Sequence, residues 1–168
     1  MVNAAATPSV LFLIAARGGS KGVPGKNLRQ IARLSLIGFK VRAAQKCSAC
    51  TRLIISTDSA EIQGEAKRLG VEVPFTRPAE FATDTASSES VLSYTIAWIE
   101  KNEGRSYDAV MLLEPASPFA TAAHLTAAIE LYAARKADLV AGMRATYPAS
   151  VFIGMQTDNG SIASIVED

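Results

Sequence analysis

The chain is 168 residues long, 49% hydrophobic and 20% charged, with a formal net charge of +1 at pH 7. That length and apolar content line one sizeable core, which excludes intrinsic disorder and leaves no need for a disulfide or a metal in folding. The longest apolar run, residues 10–16, is far short of the roughly 20 residues that cross a bilayer, and Arg17 follows it where a secretory signal has its cations first, so the expected location is the cytoplasm.

In chain order, residues 9–15 form a continuous apolar run of strand length, residues 34–47 carry apolar side chains at helical spacing, and residues 52–57 (RLIIST) read as a second strand. A helix over 60–69, a strand over 71–75, a helix over 87–102, a strand over 108–113 (DAVMLL), a helix over 122–136 and a strand over 138–143 follow. Strands apolar on both faces and separated by helices predict a doubly wound α/β fold, a mainly parallel sheet with helices on both faces. Residues 1–8 are expected to be a flexible tail and residues 9–168 a single domain, with a hairpin turn at Asn159-Gly160.

The net charge hides an asymmetry. Residues 1–57 hold nine of the 17 Lys and Arg and none of the 16 Asp and Glu. Five of those cations, Arg17, Lys21, Lys26, Arg29 and Arg33, fall in one Gly-rich stretch, which points to an anionic ligand. Open α/β sheets bind ligands at the carboxyl ends of their strands, and the segments placed there are ARGGSKGVPGKN (16–27), Asp58, residues 77–88 and EPASP (114–118). The first is neither a Walker A loop, since Gly25-Lys26 precedes Asn27, nor a dinucleotide fingerprint, since Gly18, Gly19 and Gly22 lack the G-x-G-x-x-G spacing. Glycines still let the backbone approach an oxyanion, and three cations suit a di- or triphosphate better than a monophosphate.

Taken together, ARGGSKGVPGKN, IISTDS, RPAEFATDTASS and LLEPASP, in this order, resemble the acylneuraminate cytidylyltransferases, the CMP-sialic acid synthetases, over nearly the whole chain. The resemblance implies a fold of the nucleotide-diphospho-sugar transferase type. It also implies transfer of CMP from CTP to a nine-carbon 2-keto sugar acid, with Mg2+ and release of pyrophosphate. The related CMP-Kdo synthetases share fold and chemistry, so the acceptor stays open, as does a CTP-binding module without turnover. By position, Arg17, Lys21 and Lys26 would hold the triphosphate and stabilise charge on the transferred phosphoryl group. Ala16, Gly18, Gly19 and Ser20 would shape the nucleotide loop, and Asn27, Arg77 and Ser88 would lie near the cytidine. The family forms homodimers through an arm, which implies one here. Its chains continue well past Asp168, through an Asp pair that binds Mg2+, so the chain reads as C-terminally truncated and its metal site is unassigned.

Several residues depart from that pattern. Where the family often has Gln-Pro-Thr-Ser-Pro-Leu-Arg, this chain has Glu114-Pro115-Ala116-Ser117-Pro118-Phe119-Ala120. The carboxylate of Glu114 would repel a carboxylated sugar unless Mg2+ or a cation offsets it, or would itself be an oxygen ligand for Mg2+. Elsewhere, Ser88 reads equally as a helix-start residue, Arg77 as a surface turn and Asp58 as a helix cap. Cys47 and Cys50 read as packed free thiols, His124 as an exposed helix residue and Tyr94 with Trp98 as packing. Nucleic acid and membranes are not expected partners: the basic third of the chain lacks the aromatic platform that nucleic-acid binding uses.

Overall fold

The computed structural model describes residues 7–19, 22–143, 155–156 and 162–163. Strand β1 (Val10–Ala15) is followed by the short strands β2 (Gln30–Ile31) and β3 (Leu34–Ser35), helix α1 (Leu36–Gln45), strand β4 (Arg52–Ser56) and helix α2 (Ala60–Arg68). Helix α3 (Ser88–Glu103), strand β5 (Ala109–Leu113), helix α4 (Ala122–Arg135) and strands β6 (Met155–Gln156) and β7 (Ile162–Ala163) complete the order. Three strands form a parallel sheet, β4-β1-β5. Its central strand is apolar on both faces because both faces are covered: Leu11, Phe12, Leu13 and Ile14 are wholly inaccessible.

The alternation of side chains along β1 divides the core in two. Val10, Phe12 and Ile14 pack with Ile37, Val41 and Ala44 of α1, Ile62 and Ala66 of α2, and Leu125 and Ile129 of α4. Leu11 and Leu13 point the other way, into a cluster with Ile54 and with Ile99, Leu92 and Trp98 of α3. The apolar positions that bury each helix recur three or four residues apart, as in Ile62/Ala66, Val91/Thr95/Ile99 and Leu125/Ile129. Hydroxyl side chains start the helices. Ser35, Ser59 and Ser87 accept from the amides of Gly38, Ile62 and Ser90, satisfying donors that have no partner inside the helix.

Four helices and the strands over 10–15, 52–56 and 109–113 match the predicted elements to within two residues at each end. The strand expected over 71–75 is reduced to two parallel bridges outside β4, Ile54 to Glu72 and Thr57 to Thr76. Pro74 between them has no amide hydrogen to donate to a ladder. No strand forms over 138–143, where Leu139 is 81% exposed and Met143 63% exposed. β-favouring side chains need a ladder partner, and this stretch pairs with none of the described strands. The β2–β3 hairpin was not legible: it turns through Ala32 and Arg33, both at positive φ, without the Asn-Gly signal such turns carry. β6 and β7 pair antiparallel on either side of Asn159-Gly160, as a hairpin turn requires, while residues 157–161 lie outside those described. Among the described residues, no helix is long and apolar enough to cross a membrane.

Candidate active site

The carboxyl ends of β1, β4 and β5 open into a cleft of about 340 Å3. Its lining includes Arg17, Gly19, Lys26, Asn27, Arg77, Ser88 and Glu114, so residues from three of the four segments, 16–27, 77–88 and 114–118, meet in one place, while Asp58 does not line it. Lys21 and Ser20 lie outside the described residues. Arg29 and Arg33 are exposed and do not line the cleft.

The loop after β1 is built onto its neighbours. The buried Ala16 sends its amide to the Ser56 carbonyl at 3.1 Å, continuing the β1–β4 ladder. Gly18 donates its amide to the Asp58 carboxylate at 2.9 Å. A Cβ on Gly18 would stand 2.8 Å from the Ser59 Cβ, so this position admits only glycine without a shift. Neither Ala16 nor Gly18 lines the cleft; both fix the wall that does. Asp58 is therefore a brace for the loop and not the cap of α2, a place taken by Ser59. At the far side, Gly25 adopts φ 64° and leads into a 3-10 turn over Lys26–Leu28. There the Asn27 side-chain amide donates to the Arg17 carbonyl at 3.0 Å, tying the two ends of the loop together.

The opposite wall comes from residues 77–88. Arg77 is no surface turn: it is 5% exposed, with Nε donating to the Ser56 hydroxyl at 3.0 Å and Nη2 to the Ser56 carbonyl. Burial pushes its pKa down, Asp58 pulls it up and Arg17 pushes it down again. Ser88 opens α3, but Ser87 makes the cap bond, to the amide of Ser90 at 3.1 Å. The Ser88 hydroxyl is exposed in the cleft and makes no side-chain hydrogen bond among the described residues. Arg17 reaches across to this wall, with Nη1 on the Thr83 carbonyl and Nη2 on Asp84, each at 2.5 Å. Phe81 lines the cleft and packs on Tyr94 with ring centroids 4.8 Å apart, while Phe75 joins Tyr94 and Trp98 behind it.

Phe81, Thr83 and Asp84 are cleft residues that sequence reasoning did not select. Their signal was position alone, between a strand end and a helix start in an α/β sheet. Glu114, exposed just beyond β5, supplies the remaining carboxylate of the lining beside Asp84. Lys40 of α1 is 3% exposed. Burial lowers the pKa of Lys40 and the charge of Glu114 opposes that change.

Among the described residues no group of three His, Cys, Asp or Glu side chains could hold a metal ion by itself. Asp84 and Glu114 nevertheless suit an Mg2+ that arrives with phosphates, which takes only one or two carboxylates from a protein. The other candidates resolve into packing. Cys47 is buried with Sγ 3.4 Å from the Thr126 hydroxyl, and burial, with Cys47 adjacent, pushes the Cys50 thiol up to about 11. His124 is exposed, and its Nδ1 accepts from the Thr121 amide at 3.2 Å, a reciprocal cap at the start of α4.

The sequence profile of one family, described as cytidylyltransferase, matches residues 11–165. CMP-N,N'-diacetyllegionaminic acid synthase of Legionella pneumophila is 37% identical over 125 residues, covering 73% of this chain and 53% of that protein. N-acylneuraminate cytidylyltransferase of Escherichia coli is 31% identical over 123 residues, covering 73% of this chain and 28% of its own length. A solved CMP:2-keto-3-deoxy-manno-octonic acid synthetase complexed with CTP superposes with a TM-score of 0.61 at 19% identity, covering 77% of this chain and 49% of that one. The likeness to it is one of fold, and the chain spans about half the length of the first of these relatives or less. With the profile matched over almost all of its length, the chain belongs to the cytidylyltransferase family.

Proposed function

We propose that this chain carries the nucleotide-binding and CMP-transferring part of a cytidylyltransferase whose acceptor is a nine-carbon 2-keto sugar acid of the sialic acid type. The observation that carries this reading is the meeting of Arg17, Lys26 and the buried Arg77 in one cleft at the carboxyl ends of the strands. A buried guanidinium whose hydrogen-bond partners are a hydroxyl and a carbonyl is stabilised by an anion bound nearby in the cleft.

In the reaction the anomeric hydroxyl of the sugar acid attacks the α-phosphorus of CTP and releases its proton to solvent. The bond from that phosphorus to the oxygen of the β,γ-diphosphate breaks, and pyrophosphate leaves with the bonding electrons. Arg17 and Lys26, with Lys21 by its place in the sequence, bind the phosphates and stabilise the charge that grows on the departing oxygen. Asn27 and Asp58 keep the loop at its working distance through Arg17 and Gly18. Arg77 and Ser88 offer donors to the nucleoside, and Phe81 an apolar face. Asp84 and Glu114 would be the protein oxygens that hold an Mg2+ ion, which when bound would neutralise phosphate charge. A homodimer and a cytoplasmic location belong to the same reading.

The test is pyrophosphate release from CTP and Mg2+ with N-acetylneuraminate, legionaminate-type and pseudaminate-type acids and Kdo supplied separately. Release that depends on one acid is the expected result and identifies the acceptor. CTP binding without release from any acid overturns the transferase reading in favour of a nucleotide-binding module.

A further inference from the structure

Arg29 is one of the five cations of the Gly-rich stretch, yet it is exposed and does not line the cleft. Its backbone and its Nε are nonetheless committed to the loop. The Arg29 amide donates to the Gly25 and Lys26 carbonyls, each at 3.2 Å, and Nε donates to the Pro24 carbonyl at 3.3 Å. Three successive carbonyls thus turn towards one residue. The Arg29 carbonyl accepts the amide of Leu36, the first residue of α1, at 3.2 Å, which anchors Arg29 to the helix.

The segment held in this way is a tight turn without packing of its own. The Lys26 amide donates to the Val23 carbonyl at 3.1 Å, the Pro24 ring sets the first central φ, and Gly25 takes the second at 64°. A proline followed by a positive φ makes this a type II turn. Gly22, Val23, Pro24 and Gly25 are all exposed, and a Cβ on Gly25 would meet nothing within 4 Å. The central carbonyl of such a turn, here that of Pro24, has no partner inside it, and types I and II differ by the rotation of that one peptide. Among the described residues, the side-chain hydrogen bond that reaches residues 23–26 is the one from Arg29. The residue that leaves the turn is Lys26, which lines the cleft.

We propose that Arg29 is a positioning residue of the loop: by holding the Pro24 carbonyl it fixes the turn that presents Lys26 to the cleft. The inference rests on the reading of Lys26 as a phosphate-binding group. What the turn needs from Arg29 is a donor at the place of Nε and not a charge. A turn free to rotate about its central peptide offers Lys26 in the binding position for only part of the time, and the apparent affinity for phosphate falls by that fraction.

The experiment separates the donor from the charge. Glutamine carries its amide nitrogen as many bonds from Cα as arginine carries Nε, and methionine fills the same length with no donor. The full chain and its Arg29→Gln and Arg29→Met variants are titrated with CTP, inorganic tripolyphosphate and cytidine, without Mg2+ and at fixed ionic strength. Arg29→Met should weaken CTP and tripolyphosphate about fivefold and Arg29→Gln less than about twofold, while cytidine binds all three chains alike. In a chain that already carries Lys26→Met, the loss from Arg29→Met should shrink to less than about twofold, since the group it positions is gone. Unchanged affinity in Arg29→Met overturns the proposal, as do equal losses in Arg29→Met and Arg29→Gln, which mark the loss of a charge. A fivefold loss that persists beside Lys26→Met overturns it too, and so does weakened cytidine binding, the sign of general damage. If the parent binds neither CTP nor tripolyphosphate, the nucleotide reading fails by itself. The hold on the turn is then decided by hydrogen exchange at the Lys26 and Leu28 amides, whose acceptors are the Val23 and Gly25 carbonyls. Exchange must quicken in Arg29→Met and not in Arg29→Gln, and equal exchange in all three chains overturns the proposal.

Discussion

Arg17 and Asp84 join the two walls of the cleft, Nη2 to Oδ1 at 2.5 Å, although 66 residues lie between them in the chain. The guanidinium expected to hold phosphate is thus already held by a carboxylate, and a polyphosphate has to take its place. Arg17→Ala should lower CTP affinity by about 30-fold or more, the scale of a lost charge-assisted pair. Asp84→Asn, titrated with CTP in the absence of Mg2+, should raise affinity several-fold because the competing charge is gone. Unchanged affinity in both variants would remove Arg17 from the phosphate site.

Arg77 is a structural as well as a ligand-facing group. Its replacement by Met leaves the Ser56 hydroxyl without its buried donor and the Ser56 carbonyl with the Ala16 amide alone, at a cost of about 1–3 kcal/mol. Urea denaturation should show that loss, and nucleotide binding should fall further than stability alone explains. Full stability in Arg77→Met would mean that solvent or a neighbour replaces both hydrogen bonds.

Acid sensitivity is expected at the opposite end of the sheet. Arg52 donates to Glu103 at 2.5 and 3.1 Å and to Glu72 at 2.6 and 3.2 Å, binding β4 to the end of α3 and to the segment after α2. The Arg52 hydrogen bond holds the Glu103 carboxyl below its usual range, burial opposing it. A carboxyl depressed in the folded state contributes stability that is full above its unfolded pKa of about 4.3 and is lost as pH falls through the folded value. Glu103→Gln should therefore flatten the loss of melting temperature below about pH 5. An unchanged acid limb would show that Arg52 and Glu103 are screened by solvent.

The hairpin between β2 and β3 offers the reverse, a gain. Ala32 and Arg33 sit at φ 48° and 70°, a region that side chains other than Asn, Asp and Gly enter at a cost. Ala32→Asn with Arg33→Gly should stabilise the chain by about 1 kcal/mol, a rise of about 2–4 °C in melting temperature. Destabilisation would mean that the Arg33 side chain makes an interaction worth more than the strain.

What the sequence reveals follows the range of the forces involved. The four helices and three main strands are legible because burial of a periodic face is a local pattern, as in Ile62/Ala66 or the unbroken run of β1. The assembly of the cleft is legible for a topological reason: parallel strands bring their carboxyl ends together, so that Arg17 after β1, Glu114 after β5 and Arg77 after the Thr57–Thr76 bridge meet. Long-range partnerships are what escaped. Nothing local distinguishes Asp58, which braces Gly18, from a helix cap, or marks Arg77 as buried. Likewise, Lys40 in α1 reads as an ordinary helix cation until the fold buries it. The strand expected over 138–143 fails for the same reason, because a strand is a property of a pair.

The two native thiols carry a practical consequence. Cys47 is shut inside the α1–α4 contact, and a Cys50 thiol at about 11 is ionised in only about one molecule in ten thousand at pH 7. Maleimides and iodoacetamides attack the thiolate, so both positions react slowly under mild conditions. A cysteine introduced at the exposed Ala116 on the cleft rim can thus carry a fluorophore in the otherwise unaltered chain. Such a chain would report the arrival of nucleotide and acceptor by light, one after the other.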